Sequence, residues 1–299
     1  MNARTLALIA LSVAALIYGA TFTIAKEVMP QYILPYGFIV LRVGGAALIF
    51  WIISLFVKQE KIERQDYKRI ALAAFFGVCL NMLTFFKGLS YTTPISASAI
   101  MVTAPIMVLI FSSILIGEKI PLRRILGVFI GLVGAVLLIV YGNASDKQGA
   151  NVILGNFLVF VNAASYGLYL VLVKKIITKY NPLIFVRWLY LFGFLFVLPF
   201  GFTELTTAHW QEMSTSVFLK IGYVVFFSTC VTYLCNLFAL TKLKPTTVSV
   251  FIYLQPVLAT LFALFRGSDS LNLVKVGATL LIFLGVFLVT KQTAVATNK

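Results

Sequence analysis

Carboxylates are scarce in this sequence. Nine aspartates and glutamates stand among 299 residues, against 24 lysines and arginines. Histidine occurs once, as His209, and cysteine three times, as Cys79, Cys230 and Cys235, each inside an apolar run. With no cluster of His, Cys and carboxylate at ligand spacing, no metal site is expected. With no cysteine in a polar loop, no loop disulfide is available. A Gly-x-x-x-x-Gly-Lys-Ser/Thr phosphate loop is missing, so the chain is not expected to hydrolyse ATP, and no cofactor is implied. A membrane-embedded enzyme, such as a lipid-modifying transferase, needs a base or metal ligands at the interface; one loop histidine and scattered carboxylates supply neither. Charged residues make up only 11% of the chain, where soluble domains carry about 25%. The formal charge of +15 falls in small groups between apolar runs. Nucleic acid needs a continuous wet basic surface, so no nucleic-acid partner is expected.

What the chain has in excess is apolar side chain: 61% of residues, with a mean hydropathy of +1.02. A bilayer core of about 30 Å takes roughly 20 helical residues per crossing. Stretches of that kind run Leu6–Ala25, Tyr36–Val57, Ile70–Phe86, Ile95–Ile116 and Leu122–Tyr141. After a polar break at Gly142–Asn151 come Val152–Val173, Leu183–Phe202, Phe218–Leu240, Thr246–Phe265 and Leu271–Thr290. Backbone in lipid must satisfy its own hydrogen bonds, so these are expected to be helices. The pattern predicts an all-α membrane protein with ten transmembrane helices, the crossing from Ile70 being the shortest. The first stretch has the look of a signal peptide, but it lacks a polar cleavage region and has a counterpart later in the chain, so it is read as a retained helix.

Lysine and arginine assign the sides. With the N-terminus inside, sixteen of them fall in cytoplasmic segments and six on the opposite face, leaving Arg42 and Arg187 within spans. Both termini are therefore expected in the cytoplasm of a multi-pass protein of the cell (inner) membrane.

The chain also repeats. Pro94 and Pro245, Ser98 and Ser249, Pro105 and Pro256, Glu118 and Asp269, Arg124 and Lys275, and Gly134 and Gly285 all pair at an offset of 151. Tyr18-Gly19 pairs with Tyr166-Gly167, and Lys26 with Lys174, at 148; Arg42 pairs with Arg187 at 145. The repeats are 1–142 and 143–299. Each holds an odd number of crossings, five, so the second enters the membrane upside down. Inverted repeats of this kind mark secondary transporters, which bind substrate near the midplane between the halves.

These residues resemble the EamA branch of the drug/metabolite transporter superfamily. In each copy an arginine lies in the second helix. The first then reads Pro94-Ile95-Ser96-Ala97-Ser98, Pro105 and Gly117-Glu118; the second reads Pro245-Thr246-Thr247-Val248-Ser249, Pro256 and Ser268-Asp269. Ser268-Asp269 departs from the Gly-Glu usual in that family. The resemblance spans essentially the whole chain. It implies a ten-helix inner-membrane permease, commonly an exporter of amino acids or similar small metabolites.

Several residues stand out within the spans. Pro105 and Pro256 lie about midway along their stretches, where proline bends a helix and releases the carbonyl four residues back; they are either hinges for alternating access or packing kinks. Polar groups in lipid should face protein or water. Tyr18, Asn81, Ser98, Tyr166, Trp188, Asn236, Ser249, Tyr253 and Gln255 form a candidate substrate lining, with interhelical hydrogen bonding as the other reading of each. Arg42 either binds a substrate carboxylate or pairs with an acidic residue to hold the bundle, and the structural role is favoured. Arg187 lies near the cytoplasmic start of its helix and reads as snorkelling. Glu118 reads as a local ion pair with Lys119, Arg123 or Arg124. No carboxylate falls in the middle of a span, which argues against proton coupling. Gly127-x-x-x-Gly131 permits close helix approach, within the bundle or in a dimer. The expected partners are a small-molecule substrate and the lipid bilayer, with the protein a monomer or homodimer. A channel or facilitator for another solute, such as a nucleotide-sugar or amine, is the alternative.

Overall fold

The computed structural model describes residues 2–91, 97, 100–142, 151–255, 257–258, 261 and 273–291. Among these residues all regular structure is helical. The helices are α1 (Ala3–Val28), α2 (Pro35–Ser54), α3 (Arg64–Ala74), α4 (Asn81–Tyr91), α5 (Ala104–Ile116) and α6 (Leu122–Gly142). They are followed by α7 (Val152–Lys174), α8 (Pro182–Thr206), α9 (Thr215–Val225), α10 (Thr232–Lys242), α11 (Pro245–Ser249) and α12 (Leu273–Thr290). Six described helical segments are long and apolar enough to cross a bilayer. Two of them, Arg64–Tyr91 and Thr215–Lys242, each run 28 residues. The crossing expected to be shortest is thus one of the two longest, because the helix continues at both ends into polar residues that hydropathy does not count.

Each 28-residue segment contains a six-residue π-helix, Phe75–Leu80 between α3 and α4 and Phe226–Val231 between α9 and α10. The two π-helices stand 151 residues apart, the offset of the repeat. A π-turn moves carbonyls off the α-helical ladder, and at membrane depth they need other donors. Here hydroxyls and a guanidinium supply them. Ser165 Oγ donates to the Phe76 carbonyl at 2.6 Å and Tyr233 Oη to the Gly77 carbonyl at 2.7 Å. In the second π-helix the Ser228 carbonyl accepts from Thr232 Oγ1 at 2.7 Å and from Arg42 Nη2 at 3.1 Å.

Helices from before residue 142 pack on helices from after residue 151. α2 lies antiparallel to α8, with Gly37 against the Glu204 backbone and Gly44 against the Phe194 ring. α6 lies antiparallel to α12, with Gly127 against Gly285 and Gly134 against Ala278. The Gly127-x-x-x-Gly131 face is therefore used inside the bundle, Gly131 receiving the Tyr253 ring. α4 lies antiparallel to α7, and α1 packs on α10. The start of α2 has no side-chain cap of its own. Glu204 from α8 takes that place, its Oε2 accepting from the Tyr36 and Gly37 amides at 2.6 and 3.0 Å, where the helix dipole favours an anion.

The expected span Ile95–Ile116 is corrected by the structure. A turn at Val102–Thr103 interrupts the helix, and Pro105 sits in the first turn of α5. Proline lacks an amide hydrogen and so suits a helix start better than a helix interior. On the matching stretch, Val250–Tyr253 forms a 3-10 turn after α11. Pro256 and Ser98 lie outside the described residues.

One face of the bundle is tied by cations at helix C-termini, as the dipole favours. Lys174 Nζ donates to the Leu240 and Leu243 carbonyls at 2.6 and 2.9 Å, and Lys175 Nζ to that of Leu115 at 2.9 Å. Arg4 reaches the Thr290 carbonyl and Arg123 that of Lys291. Buried Glu118 accepts from Arg124 at 2.8 Å and from Thr246 at 2.9 Å. Asp66, fully buried, accepts from Lys179 and Tyr180 Oη, each at 2.7 Å. Asp66 first, then Glu63, raises the pKa of Lys179 above the ordinary lysine value. The Lys179 hydrogen bond in turn holds the Glu63 carboxyl below its ordinary range.

Candidate functional site

A cavity opens where these helices meet. Its volume is about 110 Å³, where a single water takes roughly 10–15 Å³. It therefore has room for several waters or a small organic molecule. α1 lends Tyr18, Thr21 and Ala25, α2 lends Arg42, and α4 lends Asn81, Met82, Phe85, Phe86 and Leu89. Met101 precedes the break before α5. The far wall is Asn162 and Tyr166 from α7, Ser228 from the second π-helix, Tyr233 from α10, and Ile252 and Gln255. Both parts of the chain thus build the site.

The wall is mostly aromatic and apolar, with a few hydrogen-bonding groups. Asn81 and Asn162 face each other across α4 and α7. Asn162 Nδ2 donates to the Asn81 carbonyl at 2.7 Å, and Asn81 Nδ2 to the Asn162 carbonyl at 3.4 Å. Asn162 Oδ1 has no hydrogen-bond partner among the described residues. Asn236 stands one step behind the wall, its Nδ2 donating to Tyr18 Oη at 3.5 Å.

Arg42 is the charged residue of this lining. It is 5% exposed, with its guanidinium 5.5 Å from the centre of the Phe86 ring. Nε donates to Thr229 Oγ1 at 2.5 Å, and Nη2 donates to the Ser228 carbonyl at 3.1 Å and its Oγ at 3.5 Å. No ion pair joins it to a carboxylate among the described residues. Its repeat counterpart Arg187 is placed quite differently. Arg187 Nη1 donates to Ser54 Oγ at 3.2 Å and Gln59 Oε1 at 2.8 Å, with its guanidinium over Trp51. The second π-helix offers Thr229 to Arg42, whereas the equivalent position of the first is Val78, which gives Arg187 nothing to bond.

Of the residues singled out from the sequence, the structure brings Tyr18, Asn81, Tyr166 and Gln255 to the cavity. It does not bring Trp188, Ser249 or Tyr253. Trp188 lies edge-on to Trp51 and Tyr67 beside Arg187. Ser249 Oγ is turned to its own helix, donating to the Thr246 carbonyl at 3.2 Å. Tyr253 is fully buried, its hydroxyl donating to the Val128 carbonyl at 3.1 Å. Ser98 and Pro256 lie outside the described residues, and Pro105 starts α5. Sequence reasoning missed Asn162, Ser228, Tyr233 and Thr21. Asn162 carried the same signal as Asn81, an amide inside an apolar stretch.

Comparison with known proteins gives one family. The model of the EamA-like transporter family matches residues 5–140 and again 153–291. An uncharacterized transporter of Archaeoglobus fulgidus is 27% identical over 300 residues, covering 98% of this chain and 99% of its own length. The uncharacterized transporter YyaM of Bacillus subtilis is 24% identical over 271 residues, 90% of this chain and 88% of that one. A protein of solved crystal structure shares the fold with a TM-score of 0.74 at 17% identity, covering 96% of this chain and 98% of that chain.

Proposed function

We propose that this chain, which belongs to the EamA-like transporter family of membrane proteins, moves small metabolites, amino acids or related compounds, out of the cell by alternating access around the cavity at Arg42 and Asn81. Both relatives named above carry the name uncharacterized transporter, which supports the carrier reading. In this reading the carrier has ten crossings in two inverted halves, 1–142 and 143–299, and sits in the inner membrane with both termini in the cytoplasm.

The observation that carries the reading is the cavity itself, walled by α1, α2 and α4 on one side and by α7, Ser228, Tyr233 and Gln255 on the other. A wet pocket between two duplicated halves is the arrangement that rocking carriers use. Antiparallel packing of α2 on α8 and of α6 on α12, together with the recurring π-helices, supports the inverted repeat. Ala25 and Leu89 stand near the C-terminal ends of α1 and α4, so the cavity leans toward the face opposite the ties of Lys174, Lys175 and Glu118. With the N-terminus inside, that is a carrier shut toward the cytoplasm and inclined to the outside.

Counterflow in proteoliposomes tests this. Vesicles preloaded with an unlabelled amino acid should take up its labelled form faster than empty vesicles across a panel of aromatic and aliphatic amino acids. Uptake indifferent to preloading is the behaviour of a channel and would overturn the carrier reading.

A further inference from the structure

The charge balance of the cavity says more about its ligand. Arg42 is buried, faces the cavity, and has no carboxylate in ion-pair contact among the described residues. Described carboxylates elsewhere are engaged. Asp66 is held by Lys179, Glu118 by Arg124, and Glu204 by the amides of α2. A guanidinium at membrane depth is costly unless it faces a cavity or finds a partner, and Arg42 turns its free edge to the cavity. Arg42 spends Nε and Nη2 on Thr229 and Ser228, neutral acceptors that fix its direction without cancelling its charge. Nη1, with two N–H groups, donates to no described residue. The guanidinium is thus positioned and half-satisfied, and the fork geometry of arginine matches a carboxylate.

We propose that the missing counter-ion is the substrate: the cavity takes an organic acid, its carboxylate on the free edge of Arg42 and its apolar or aryl body against Phe85, Phe86 and Tyr166. This rests on the carrier reading above and names the chemical class that the carrier accepts. The lining holds no described carboxylate to receive an ammonium. Acids and zwitterions are accepted through their carboxylate; amines without one are not. The amides of Asn81 and Asn162 are neutral and discriminate among bodies rather than charges. Arg42 is then both the tie to the second π-helix and the group that reads the substrate.

The test is a thermal-shift titration of the full chain purified in detergent, with four probes that share one body: 3-phenylpropionate, phenylalanine, phenylalaninamide and phenethylamine. A ligand that binds only the folded state raises the melting temperature. The two carboxylates should raise it, and the amide and amine should not. Arg42→Gln should weaken the response to both carboxylates by about tenfold or more, whereas Arg187→Gln, at a site remote from the cavity, should leave it unchanged. If Arg42→Gln does not fold, the four-probe comparison on the unaltered protein decides alone. A shift from phenethylamine equal to that from 3-phenylpropionate, or no shift from either carboxylate, overturns the assignment. Counterflow separates the two readings. Carboxylate binding that depends on Arg42 without counterflow removes the carrier and keeps the site; counterflow of phenethylamine without that of 3-phenylpropionate does the reverse.

Discussion

At the scale of single residues, the molecule is ruled by close approach. Gly77 sits in the first π-helix with the Tyr169 ring on it; a Cβ there would come within 2.1 Å of Tyr169 Cδ2. Tyr169 is itself 2% exposed and has no room to retreat. Gly77→Ala should therefore cost about 1–3 kcal/mol, the usual range for an overpacked core, read as a lower unfolding temperature in detergent. Gly222→Ala is the contrast, since nothing lies within 4 Å of a Cβ there; it should be neutral or slightly stabilising, as alanine favours helix. Part of the site was legible at this scale. Tyr18, Asn81, Tyr166 and Gln255 were visible as polar groups interrupting apolar stretches, and they reach the cavity. Tyr253 and Ser249 carried the same signal and turn away. A polar side chain in a span is satisfied either by a wet cavity or by a neighbouring carbonyl, and composition does not distinguish the two. Tyr253 finds the Val128 carbonyl and Ser249 that of Thr246.

At the scale of elements, the π-helices decide where the lining points. A π-turn is one residue's change of register, and hydropathy carries no trace of it; Ser165, Tyr233, Thr232 and Arg42, which serve the freed carbonyls, mark the two places. Deleting Cys79 should return Phe75–Leu80 to the α ladder and turn α4 by about 100° relative to α3. Asn81, Phe85 and Phe86 would then leave the cavity together. The expected result is loss of 3-phenylpropionate binding with the circular-dichroism helix signal unchanged; retained binding would show that the turn does not set the lining. The break before α5 was half legible. Proline at 105 signalled a disturbance, but a helix start rather than a bend is what the chain forms, since the turn at Val102–Thr103 lets Pro105 take a position where no amide hydrogen is needed.

At the scale of the whole molecule, the apolar excess made a multi-pass helical membrane protein readable from composition. The duplication was readable from paired prolines, glycines and charges, and the family model likewise matches the chain twice, over residues 5–140 and 153–291. The pairing of α1 with α10 and of α4 with α7 was not readable, because it depends on which faces meet across the repeat. Sidedness is testable directly. In a cysteine-free background, Lys61→Cys should react with a membrane-impermeant maleimide only in inside-out vesicles, and Glu212→Cys only in intact cells. The opposite pattern would reverse the proposed orientation.

The two arginines of the repeat end up with separate employments. Arg42 is fastened to the second π-helix at the heart of the bundle, and Arg187 is fastened to Ser54 and Gln59 at its rim. Twin halves with matching chemistry would idle equally in either posture. Because these anchors differ, an empty carrier of the proposed kind has a preferred resting posture, and cargo arriving from one compartment meets an already vacant berth while cargo from the other must wait for the turnover that exposes it.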